Sequence, residues 1–75
     1  MNEAAYQTLV DAVHHLMKLE RWKTASALNV MAIRMCINPR LEIELYYKAM
    51  EIMKTDSDLA EYYNRMYNIL EGNTP

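Results

Sequence analysis

Seventy-five residues with one cysteine and a net charge of −2 leave few classes of molecule open. A chain this short buries only about 60% of the surface its unfolded form exposes. A single cysteine rules out an internal disulfide and a cysteine-rich zinc site, and the acidic excess has the wrong sign for a general nucleic-acid binder. With Glu3 and Asp11 interrupting the amino-terminal segment, and no apolar run near membrane-spanning length, the expectation is a cytosolic chain without a signal peptide.

Asn2 is placed to cap a first helix running from about Glu3 to Leu19. Ala5, Leu9, Ala12, Leu16 and Leu19 form one stripe on it, and Tyr6, Val10, Val13 and Met17 form a neighbouring one. Glu3, Gln7, Asp11, His14 and Lys18 take the polar face. An apolar side this wide can touch two other helices.

Glu20-Arg21-Trp22 contains neither Gly nor Pro, yet the apolar phase slips there. The first stripe would next require position 23, which is Lys, whereas the pattern restarts at Trp22 and Ala25. That slip predicts a tight turn. The second helix, Trp22 to Ile37, carries a stripe of Ala25, Leu28, Ala32 and Met35 and a second one of Val30, Ile33 and Ile37. Between its ends only Lys23 and Arg34 are charged. A helix apolar over most of its circumference is expected to be buried on several sides, so the other helices should wrap about this one. Cys36 is expected to be a small buried hydrophobe.

Asn38-Pro39 marks the next boundary, because a residue before proline resists helical geometry and proline suits a first helical position. A third helix is expected over about Pro39 to Lys54. Leu41, Leu45, Tyr46, Ala49, Met50, Ile52 and Met53 would be inward, with Glu44 and Lys48 paired at favourable spacing on the outside. Asp58 and Glu61 have the spacing of a capping box for a fourth helix. Its apolar face would be Leu59, Tyr62, Tyr63, Met66, Ile69 and Leu70, and Gly72 would end it. The fold expected is all-α: four short antiparallel helices arranged as two packed hairpins in one domain over residues 1–72, with a flexible tail at 73–75.

On this frame Trp22 falls where tetratricopeptide hairpins carry an aromatic near their internal turn. Leu9, Val13 and Leu16 fall on first-helix packing positions, and Ala25 and Ala32 on the small residues of the second helix. The run ELYYKAMEI, residues 44–52, resembles a second helix of such a repeat, and LAEYYNRMYNILEG, residues 59–72, a following first helix. Over about residues 16–52 the chain also resembles the small PerC-like and ANR-like regulators of enteric bacteria. Trp22-Lys23-Thr24-Ala25, Met31-Ala32 and Tyr47 carry that likeness, while Asn29 and Leu45 stand near places where those families have tryptophans. The second resemblance implies control of gene expression through binding another regulator.

Catalytic and metal chemistry find little support. His14 and His15 are adjacent, so on a helix they point about 100° apart and cannot share an ion as residues four apart would. Met31, Met35 and Cys36 have a spacing that would suit a soft metal, but core packing requires the same spacing. No nucleophile–base set, phosphate-cradling glycine loop or paired carboxylates in an apolar pocket appears, and the one Gly leaves little backbone freedom for a catalytic loop. No enzyme activity, metal or cofactor is expected. Direct DNA binding through Lys23, Arg34 and Arg40 is not expected either, since the second helix offers too few basic groups for a phosphate-binding face.

What composition favours is contact with protein. Six Tyr and seven Met with no Phe supply side chains enriched at interfaces, although a small core can be built from the same residues. The charge is uneven. Residues 18–40 carry +4, and residues 41–75 carry −4, a split that orients a protein partner. Consecutive tyrosines at 46–47 and 62–63 cannot both point inward. Tyr46, Tyr47, Met50, Met53, Tyr62, Tyr63, Met66 and Tyr67 are therefore the expected protein-binding surface. Val30, Ile33 and Ile37 are expected to be left uncovered beside Lys23 and Arg34. Each would gain roughly 1.5–3 kcal/mol on burial, which favours a homodimer through them, with the basic middle of one copy near the acidic half of another. The reading is a small regulator that binds another regulatory protein. A phage-encoded inhibitor of a host defence complex and a helical chaperone for a secretion-system subunit are the alternatives.

Overall fold

Asn2 starts the first helix as expected: its backbone is extended and its side-chain oxygen accepts the Ala5 N–H at 3.1 Å. The computed structural model describes residues 2–72, so the tail expected at 73–75 lies outside the described residues. Helix α1 spans Glu3–Lys18 and α2 spans Trp22–Ile37. A 3₁₀ turn at Pro39–Leu41 leads into α3, Glu42–Lys54, and a second at Ser57–Leu59 leads into α4, Ala60–Glu71. The chain is an all-α bundle of four helices, with no strand among the described residues.

The glycine-free turn between α1 and α2 closes by a Schellman pattern. Glu20 N–H bonds the Met17 carbonyl at 3.0 Å and Arg21 N–H bonds the Leu16 carbonyl at 2.9 Å. The position after the helix cap must then be left-handed, and Glu20 occupies it at φ 57°. A side chain there costs roughly 1–2 kcal/mol that glycine would not. Gly72, the cap residue directly after α4, is also left-handed, at φ 65°.

Both later boundaries differ in detail from the sequence expectation. Asn38 does cap, accepting from Arg40 N–H at 3.2 Å, but the turn it opens is 3₁₀ and the α-helix begins only at Glu42. The capping box at Asp58 and Glu61 does not form. Asp56 is the cap, its carboxylate accepting Asp58 N–H at 3.1 Å, and Glu61 instead pairs with Arg65 at 2.8 Å. Glu44 and Lys48 pair at 3.6 Å as expected.

Each helix packs on the one before and the one after it, and α4 closes the ring on α1. Glu42 accepts the Asn2 N–H at 2.6 Å, and the Tyr46 hydroxyl donates to the Asn2 carbonyl at 3.3 Å, so α1 and α3 start at the same end. Burial first, and then the Glu42 carboxylate, raise the ionisation of Tyr46 well above the ordinary tyrosine value. At the other end Arg21, in the first turn, bonds Asp56 at 2.6 Å and Asp58 at 3.0 Å in the last. The Arg21 guanidinium, by its hydrogen bond, holds the Asp56 carboxyl below its ordinary range.

The helix that buries the most side chains is α1 and not α2. Ala5, Leu9, Ala12 and Leu16 are fully buried, Val13 nearly so, and the buried Thr8 hydroxyl is satisfied by the Ala4 carbonyl at 2.8 Å. On α2 only Ala25, Leu28, Ala32 and Met35 are buried. A helix in a closed ring of four buries one face, and the second stripe of α2 lies on its far side. Cys36 is exposed rather than buried, and its thiol donates to the Tyr6 hydroxyl at 3.5 Å. Leu19, expected in the first stripe, lies beyond the end of α1 and is exposed.

Two outcomes follow. Leu9→Ala should cost about 2–5 kcal/mol in denaturant unfolding and Ile33→Ala less than about 1 kcal/mol; equal losses would contradict the greater burial of α1. Asp56 has a lowered folded pKa, so its contribution is present above the ordinary Asp pKa and lost as pH falls through the folded value. Asp56→Asn keeps an acceptor for the cap. It should lower Tm at neutral pH and reduce the loss of Tm on acidification below about pH 4. A variant with the same acid dependence as the parent would show that the clamp adds nothing.

Candidate protein-binding surfaces

The aromatic and methionine residues expected to make one binding surface are divided by the fold. Tyr46, Met53 and Met66 are wholly buried in the core, and a ligand cannot reach them. They lie on the inward stripes of α3 and α4, where the ring closes. Tyr62 faces α1: its ring centroid is 5.4 Å from that of His15, and the Arg65 guanidinium sits 5.2 Å from its centre. Arg65 also bonds Asp11 at 3.2 Å, so this edge is occupied by internal contacts.

Tyr47, Met50, Tyr63 and Tyr67 do come together. With Glu51, Lys54 and Glu71 they line a shallow groove of about 230 Å³ between α3 and α4. Tyr63 and Tyr67 stack at 6.3 Å, one helical turn apart. The Tyr47 hydroxyl donates to Glu71 at 2.5 Å, bridging the groove, and that carboxylate raises the phenol's ionisation above its ordinary value. Met50 forms the floor and is nearly buried.

A second groove, of about 290 Å³, was not singled out from the sequence. It runs between α1 and α2, with Val13, Met17, Trp22, Ala25, Ser26 and Asn29 among its lining residues. Val13 and Ala25 are its buried floor, whereas Trp22 is 57% exposed. Along α2 the wall continues at spacings of four through Ile33 and Ile37, with Val30 beside them; these three are 50%, 78% and 49% exposed. The self-association residues are thus uncovered within the chain, as the sequence led us to expect. A signal for this was present. The line Trp22, Ser26, Asn29, Ile33 has Ser and Asn in its middle, which a buried stripe would not tolerate without partners.

The rims of the two grooves differ in charge. Asp11, bonded to Arg65, and Lys18 lie on the α4 side of α1, so the charged groups beside the α1–α2 groove are Lys23 and Arg34, neither paired with a carboxylate among the described residues. Glu51 and Glu71 border the α3–α4 groove with Lys54. Among the described residues no three His, Cys, Asp or Glu side chains converge as metal ligands would, and Met35 is buried while Cys36 is exposed. No helix of the described residues is long and apolar enough to cross a membrane.

Trp22 is the only tryptophan, so its environment can be read directly. At submicromolar concentration its emission should lie close to that of free tryptophan in water and be quenched readily by iodide. A blue-shifted, protected emission would place the indole in an apolar site instead. Comparison with protein-family models, with curated proteins and with solved structures finds no match for this chain.

Proposed function

We propose that this chain is a small regulator that acts without catalysis, by binding another regulatory protein. The observation that supports this most directly is the exposed apolar line from Trp22 to Ile37 on α2. Tryptophan anchors are common where binding energy concentrates. A chain of this length gives up stability by leaving one in water, and a partner that covers it offsets that cost. The free, exposed thiol of Cys36 suits a reducing compartment, so we place the regulator in the cytoplasm. Its short turns and single glycine fit a rigid surface that docks with little ordering cost.

The test is site-specific photocrosslinking in the native host, with p-benzoylphenylalanine placed at Trp22, Ile33, Tyr67 or Lys48. A discrete adduct with one protein is expected from positions 22 and 33, absent from the ion-paired position 48, and mass spectrometry should identify a regulator of gene expression. Adducts from 67 alone would move the binding surface to the tyrosine groove. No adduct from 22, 33 or 67 would overturn the binding reading, and an adduct with a protein outside gene regulation would overturn the regulatory one.

A further inference from the structure

From the charge around the α1–α2 groove we infer its occupant: an acidic amphipathic helix of another protein, laid along the groove with its apolar stripe on Trp22 and Ile33. This deepens the protein-binding reading and rests on it. The groove itself lies over the first two turns of α2, and the exposed apolar line continues from it to Ile37, along all 16 residues of that helix. At 1.5 Å per residue that line is about 24 Å long, which matches a helical segment of about four turns. The described chain offers no strand edge to an extended peptide. An occupant must therefore satisfy its own backbone, as a helix does, and bind through side chains.

Charge determines the chemistry of that helix. Lys23 and Arg34 stand on the outer side of α2, beside the exposed line, whereas Lys18 lies with Asp11, Tyr62 and Arg65 on the α4 side of α1. Neither Lys23 nor Arg34 has a carboxylate partner among the described residues. Arg21 is different, being held by Asp56 and Asp58. The acids closest in sequence are turned elsewhere or lie at the ends: Asp11 bonds Arg65, Glu20 sits in the turn, and Glu3 is at the far end of α1. A helix with Glu or Asp flanking an apolar stripe would place opposite charge along the outer edge of α2, and one flanked by Lys or Arg would meet repulsion there.

A second copy of this chain fits the apolar line but not the rim. In an antiparallel pairing about a two-fold axis Trp22 would meet Ile37 of the second copy, Ser26 would meet Ile33 and Asn29 would meet Val30. Those contacts are complementary in size. The same two-fold, however, keeps each rim on its own side, so Lys23 and Arg34 of both copies would line one edge with no acid between them. An acidic helix covers the same side chains and neutralises that edge.

The experiment uses the full chain and two designed 18-residue helical peptides with one leucine–phenylalanine stripe, flanked by Glu in one and by Lys in the other. Binding is read by fluorescence anisotropy of the labelled peptide, and the site by backbone amide NMR shifts. The Glu peptide should bind about tenfold or more tightly at low salt, with the advantage shrinking as salt rises. In the Lys23→Glu/Arg34→Glu variant, whose substitutions lie on the surface and whose fold circular dichroism would check, the preference should reverse toward the Lys peptide. Equal affinity for the two peptides, shifts confined to the Tyr47 and Tyr67 groove, or a chain that sediments as a dimer and ignores both peptides would each overturn the inference. If crosslinking from position 22 still captures a single protein, the binding reading survives while this account of its partner fails. If both experiments are negative, both fail.

Discussion

Burial of one face of α1 is the constraint from which the rest of the architecture follows. Ala5 and Ala12 keep that face low enough for close helix approach, while Leu9 and Leu16 fill the space beside them. Ala25 and Ala32 give α2 a similarly low ridge with Leu28 and Met35 between. Small residues opposite large ones allow two helices to interdigitate at short axial distance. With α2 on one flank and α4 on the other, α1 spends its wide apolar surface inside the molecule. The helices around it then need to bury only one stripe each. Whatever further apolar surface they carry must face outward, and α2 carries the most.

The two ends of the ring are held by different physics. At one end Tyr46 and Glu42 tie the start of α3 to Asn2 through neutral and charge-assisted hydrogen bonds. At the other the Arg21 guanidinium spans two carboxylates that belong to the last turn. Arg21 itself follows Glu20, whose left-handed backbone is strained for a residue with a side chain. The strain and the clamp are linked, because the Schellman turn that forces Glu20 to positive φ also ends at Arg21 and sets where its side chain can reach. Asp56 serves twice, as the cap that opens the Ser57 turn and as the nearer partner of Arg21. Losing it would loosen both turns, which is more than an exposed ion pair alone would explain.

Much of this was legible in the residues. The phase slip at Trp22 located a turn that contains no glycine or proline, and Asn38-Pro39 located the next one. The inward stripes of α1, α3 and α4 were correct nearly residue by residue. The misreadings share a cause: a stripe shows that a helix has an apolar face without showing what that face meets. Helix α2 read as the one the others wrap because two apolar stripes were assumed to draw neighbours, although Val30, Ile33 and Ile37 were expected to stay uncovered, and Cys36 was expected inside with it. Tyr46, Met53 and Met66 were placed on inward stripes and also counted in a binding surface, because tyrosine and methionine are common at interfaces; only the inward reading holds, since they fill the core. The cap fell at Asp56 instead of Asp58 because a 3₁₀ turn precedes α4, and hydrogen-bond register at that scale is set by the chain's path.

Size explains why the outward face of α2 exists at all. In a ring of four short helices each helix can hide one side, and covering a second side would take another layer that 75 residues cannot supply. The usual solution is to make the outer side polar, and α1, α3 and α4 do so over most of it with Gln7, Lys48, Glu51 and Glu61, leaving Met17, Ile43, Tyr47 and Tyr67 as their exposed apolar groups. On α2 the outer side instead runs Trp22, Ile33, Ile37 with Val30 alongside, and its only charges are basic. Stability alone does not call for that pattern, since polar residues there would leave the core unchanged. Basic groups at the rim also limit the occupants: they oppose pairing of like faces while leaving the apolar line open to an acidic one. The face thus combines an attraction that is general for apolar surface with a charge that excludes some partners, and a binding surface needs both to be selective.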